Sequence, residues 1–238
     1  MEPQLQPVRT DERTFGRTFE ATSIAADTQK VLRNTYLLLA ATMVPTIAGA
    51  LVGMATAGVI VAHPILSFFV MLGATLGLQF AIVANRNSAL GIVFLLLLTG
   101  LLGWFIGPLL NYALALKNGA ALVGYAAGGT GVVFLAMGAI ATTTRRDFGF
   151  MGKFLFVGMI ALLVAMAANM FFQIPALALT ISTLVVVVFS LFLLHDLSRI
   201  VTGGETNYLM ATTGVYLSLF NIFVNLLQIL MALSGERD

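Results

Sequence analysis

The chain has 238 residues, of which 59% are hydrophobic and only 9% charged, with a mean hydropathy of +1.00. Soluble domains carry about 25% charged residues, so this composition excludes a soluble globular enzyme, a disordered chain and a nucleic-acid binder. The net charge of +2 points to no polyanionic partner, and the absence of cysteine removes disulfides, thiolate nucleophiles and Cys-ligated metals. What remains is an all-α, polytopic protein of the lipid bilayer.

Residues 1–33 hold five of the ten acids and five of the twelve basic residues and show no apolar periodicity. They read as a mostly disordered, solvated tail, and no apolar stretch follows a short basic start as in a signal peptide. The domain proper is expected over 34–233, with 234–238 as a short outer tail. Its apolar runs predict seven spans at about 35–57, 65–84, 89–110, 121–142, 154–173, 176–195 and 209–233, each near the 20 residues a bilayer core requires. Ala62-His63-Pro64, Asn85 to Ser88, Lys117-Asn118-Gly119 and Thr144 to Asp147 separate the first five. Gln173-Ile174-Pro175 divides 154–195, which is too long for one helix, and Ser198 to Tyr208 forms the last break. Ten Lys and Arg fall on the tail's side and two, Lys117 and Arg237, on the other. The positive-inside rule then predicts a cytoplasmic N-terminus and an outer C-terminus.

Helices in lipid associate through small residues and polar contacts. Gly49/Gly53, Gly73/Gly77, Gly103/Gly107 and Gly124/Gly128 give GxxxG spacing in the first four spans and predict a compact bundle. On the seventh span Asn207, Ala211, Gly214, Ser218, Asn221, Asn225 and Gln228 recur every three or four residues, one polar and small seam on a helix otherwise rich in Leu, Ile, Val and Phe. Amides facing hydrocarbon would be unsatisfied, so this helix should be buried. Two readings stand open: interhelical packing glue, or the lining of a partly hydrated ion or proton path. Asp196 ends the sixth predicted span. It is either interfacial, hydrated or paired with Arg199 at i+3, or partly buried with its protonation coupled to helix position. His195 is read as interfacial on another face, and Asn169 and Gln173 as packing amides.

The catalytic signatures are missing. No HExxH occurs and the only histidines are His63 and His195. The seventh span has no Lys for a Schiff base, and Gly203-Gly204-Glu205-Thr206 lacks the Lys of a phosphate-binding loop. A non-enzymatic protein without cofactor or metal is expected.

Several stretches together resemble one family. Lys30 to Tyr36 leads into the first span, Gly107-Pro108 closes the third, and Thr142 to Asp147 forms the fourth break. Gly203-Gly-Glu-Thr-Asn-Tyr208 precedes Tyr216-Leu-Ser-Leu-Phe-Asn-Ile-Phe223. These are similar to the Bax-inhibitor family of seven-span proteins, and within it to the bacterial YccA branch, over roughly residues 30–233. The resemblance implies a bundle of six helices around a central seventh, in the bacterial inner membrane. It also implies a partner: YccA-type proteins bind and restrain the membrane-anchored, ATP-dependent protease FtsH and are degraded by it from the cytoplasmic tail. Other branches act as pH-sensitive calcium leaks gated by two Asp residues that share a proton. Asp196 matches the acid of span six, but the acid of span seven falls at Ser218, which cannot share a proton as a second carboxylate does. The resemblance therefore leaves Asp196 to titrate alone, or with Glu205 if the sixth loop folds back.

Overall fold

A computed structural model describes residues 12–144, 146 and 148–235, and they are helical with no strand among them. Eight helices follow in chain order: α1 (Glu12–Ala55), α2 (Ala57–Ala62), α3 (Pro64–Ala84), α4 (Ala89–Ala115), α5 (Gly119–Thr144), α6 (Met151–Phe172), α7 (Pro175–Val201) and α8 (Tyr208–Gly235). Among the described residues seven stretches are long and apolar enough to cross a membrane: Thr28–Ala55 of α1 and the whole of each helix from α3 to α8, while α2 is a six-residue link. The protein is thus a multi-pass membrane protein. Each predicted span falls inside one of these helices or overruns it by a residue or two.

The differences lie at the ends. α1 begins at Glu12, within the segment read as mostly disordered; this stretch has no Pro and one Gly, so an established apolar helix propagates into it at little cost. The first eleven residues, the terminal residues 236–238, and Arg145 and Asp147 of the fourth break lie outside the described residues. α4 does not close at Gly107-Pro108 but runs on to Ala115, with Pro108 in its interior. Proline removes the amide that would bond the Trp104 carbonyl. That carbonyl oxygen faces Gly53 of α1, where a Cβ would collide with it, so the absent side chain leaves room for a backbone approach. α7 likewise passes the predicted end at 195, because Leu197 and Ile200 continue its buried face. The fifth break is as short as expected: Gln173 takes a left-handed conformation (φ 51°) at the end of α6 and Pro175 opens α7.

The broadest helix pairing is α1 against α4. Built-on Cβ atoms at Gly49, Gly53, Gly103 and Gly107 would all strike backbone of the facing helix. The same spacing at Gly73/Gly77 and Gly124/Gly128 meets open space, so only half of the predicted small-residue pairs join helices of the bundle. Trp104 Nε1 donates to Thr56 Oγ1 (2.7 Å) and Asn111 Nδ2 to the Met54 carbonyl (2.7 Å), which satisfies polar groups where α1 ends.

α8 packs on α7, α5, α1 and α4, while α3 rests chiefly on α4 and α6 on α7. From Tyr208 to Met231 no residue of α8 is exposed, whereas α3 and α6 present many apolar side chains outward. The seam helix is therefore enclosed, as its amides require. Near its middle Tyr216 is 2% exposed, and its hydroxyl pairs with Thr46 Oγ1 of α1 (2.8 Å) and donates to the Thr99 carbonyl of α4 (3.4 Å).

Candidate functional site: an acid cavity beside the seam helix

α7 turns Leu193, Leu197 and Ile200 into the core, and this register sets His195 and Asp196 toward its two neighbours. Toward α6, a Cβ at Gly152 would stand 2.9 Å from His195 Nε2; toward α8, a Cβ at Gly214 would stand 2.6 Å from Asp196 Oδ2. Both polar side chains thus sit between helices only because glycine faces them. They also meet each other, with His195 Nδ1 3.1 Å from Asp196 Oδ1 and side-chain exposures of 11% and 20%. The imidazole faces a different helix from the carboxylate, as its register predicts, and the two adjacent side chains still meet.

Arg199 does not take up the i+3 pairing with Asp196. Its Nη2 lies 3.3 Å from Glu205 Oε2 and donates to the Gly204 carbonyl at 3.3 Å. The loop folds back to allow this: Gly203 has φ 78°, and the Glu205 amide donates to the Arg199 carbonyl at 3.0 Å. Glu205 Oε1 in turn accepts the Asn207 amide (3.0 Å). Asp196, Arg199 and Glu205 line one cavity of about 200 Å³, together with Gln79 of α3 and Met210, Ala211, Thr213, Gly214 and Leu217 of α8. The folded loop thus brings Glu205 to the cavity of Asp196.

Ser218 is 2% exposed, one turn beyond Gly214, and does not line this cavity. Asn207 is not a seam residue but the cap of α8. Its Oδ1 accepts the amides of Leu209 (3.0 Å) and Met210 (3.1 Å), and its Nδ2 donates to the Arg86 carbonyl (2.9 Å) and Asn87 Oδ1 (3.0 Å) in the α3–α4 turn. Asn221 and Asn225 donate back to the carbonyls of Leu217 (2.9 Å) and Asn221 (2.8 Å) on their own helix. Gln228 crosses to α7, where Ser182 Oγ donates to its Oε1 at 3.0 Å. Asn225, Gln228, Ser182 and Asn169 line a second cavity of about 180 Å³ with Met166 and Met170. Asn169 Oδ1 also accepts the Ile174 amide at 3.1 Å, so this amide ties off the α6–α7 turn.

Among the described residues no group of three His, Asp or Glu side chains is placed to hold a metal ion. Sequence reasoning passed over Gln79, Ser182 and Gly152, and counted Gly214 in the seam without its part in admitting Asp196. A lone amide in an otherwise apolar α3 was the available signal for Gln79. Nothing local marks Gly152.

The family described as inhibitor of apoptosis-promoting Bax1 matches residues 28–235. An uncharacterized membrane protein of Vibrio cholerae is 42% identical over 204 residues, covering 86% of this chain and 90% of that one. The modulator of FtsH protease YccA of Escherichia coli K12 is 39% identical over 219 residues, covering 92% of this chain and 97% of that one. The inner membrane protein YccA of Escherichia coli O6:H1 matches to the same extent.

Proposed function

The chain belongs to the Bax-inhibitor family, and from that membership we propose that it is a non-enzymatic inner-membrane modulator of an FtsH-type protease. The observation that carries this is the 39% identity to the FtsH modulator across nearly the whole of both chains. The charge-rich tail supports it, because residues 1–33 hold five of the ten acids and five of the twelve basic residues ahead of the first predicted span and offer a polar handle. The Lys and Arg excess at the tail's end favours a cytoplasmic N-terminus and an outer C-terminus. In this reading the bundle docks the protease and the tail is where degradation of the protein itself begins.

Affinity purification from mildly solubilised membranes, comparing the full chain with a chain lacking residues 2–28, tests both parts. An FtsH-type protease should accompany both forms, and the truncated chain should be longer-lived. Absence of the protease from both would remove the modulator reading. Equal half-lives would remove the tail as entry point.

A second reading, a calcium or proton leak along α8, is favoured by Asp196 facing one cavity while the amides of Asn225 and Gln228 face another. Between Leu217 and Asn225 the helix rises about 12 Å, and neither cavity extends into that interval. Phe189 of α7 packs against two of the buried clusters. A leak therefore requires this interval to open. Calcium flux into liposomes that is the same with Asp196→Asn as with the native chain at every pH would count against it.

A further inference from the structure

Glu205 lines two spaces at once. One is the cavity of Asp196; the other is a larger cleft of about 670 Å³ at the tail's end of the bundle, between Lys30 and Asn34 of α1 and the Thr202–Tyr208 loop. Arg199, which lines the Asp196 cavity alone, reaches Glu205 from that side, so the ion pair is anchored on the one carboxylate common to both spaces. We propose that the Arg199–Glu205 ion pair is a latch that controls access from the tail-side cleft to the Asp196 cavity. This goes beyond the modulator reading and does not depend on it.

The loop is short and sharply turned at this point. Gly203 is in the left-handed region, and six residues, Thr202 to Asn207, join the end of α7 to the start of α8. The latch has a fixed and a movable side. Glu205 is held by its own backbone bond to Arg199 and by the Asn207 amide, while the Arg199 side chain is 39% exposed and held by charge and one carbonyl. A pair this exposed is weak and screened by salt, which suits a contact that opens and recloses.

The chain contains no cysteine, so a single thiol reports access. Thr213→Cys places it in the Asp196 cavity, and labelling by a neutral, water-soluble maleimide is timed in membranes with the tail side accessible. Glu205→Gln, which keeps the oxygen that accepts the Asn207 amide, should raise the labelling rate up to about fivefold, the most a pair of this exposure supplies. Arg199→Gln should raise it similarly. The two variants change the local charge in opposite directions, so a shared increase comes from access and not from thiol ionisation. High salt should speed labelling of the charged pair and leave the Glu205→Gln form unchanged. Unchanged rates in both variants, or opposite changes, would overturn the latch. So would an equal rise at Asn225→Cys in the second cavity, since that signals general loosening of the bundle.

Discussion

Asn207 offers the sharpest test of how α8 is held. Its four side-chain bonds divide into two accepted from the helix start and two donated to the α3–α4 turn. Loss of an Asn cap costs about 1 kcal/mol, and each donated bond about 0.5–1.5 kcal/mol, toward the low end for a partly exposed group. Asn207→Ala should therefore destabilise the bundle by about 2 kcal/mol. Asn207→Asp keeps the cap and adds an anion at a helix N-terminus, a gain of about 0.3–1 kcal/mol. It removes both donors, and only the Asn87 amide can turn to compensate. Its loss should be about half that of the Ala variant. Equilibrium unfolding in mixed micelles, followed by the single Trp104, gives both numbers. A loss for Asn207→Ala below about 0.5 kcal/mol, the floor for a lost cap, or an Asp variant as unstable as the Ala variant, would refute the assignment of Asn207 as cap and tie.

Three further outcomes follow from the packing. Gly53→Ala must push α1 away from the Trp104 carbonyl and should cost about 1–3 kcal/mol, whereas Gly73→Ala meets open space and should be neutral or stabilising by up to about 1 kcal/mol; equal effects in the same unfolding assay would mean that the small-residue pairs are not distinguished by partner. Tyr216→Phe removes the hydroxyl that joins α8 to Thr46 and Thr99 and should cost about 0.6–1 kcal/mol, the range for a polar contact between membrane helices; a neutral result would make this hydroxyl a bystander. A double-mutant cycle on Ser182→Ala and Gln228→Leu should return a coupling of about 0.6 kcal/mol, and additive losses would show that the 3.0 Å contact contributes nothing.

Period and length were enough to read the spans, because a bilayer imposes both. Partners were not legible in the same way. GxxxG spacing occurs in four helices and only α1 and α4 use it against each other, since spacing fixes a face and not what the face meets. Arg199 sits at the right interval to pair with Asp196, yet a left-handed Gly203 returns Glu205 to it instead. The contact that excludes the local pairing comes from a turn whose geometry the residue pattern does not specify. The seam shows the same limit more fully. Its periodicity is real, but spacing alone does not separate a cap from the helix that follows, so Asn207 fits the seam pattern while it caps α8 and serves the α3–α4 turn. Asn221 and Asn225 spend their amide donors on their own helix, and Gln228 reaches another helix. The uniform stripe is thus chemically two sites: a charged cavity where Gly214 admits Asp196, and a neutral amide cavity at the other end of α8. A conducting role has to bridge that interval, whereas docking a protease does not, and this asymmetry is why the modulator reading asks less of the structure.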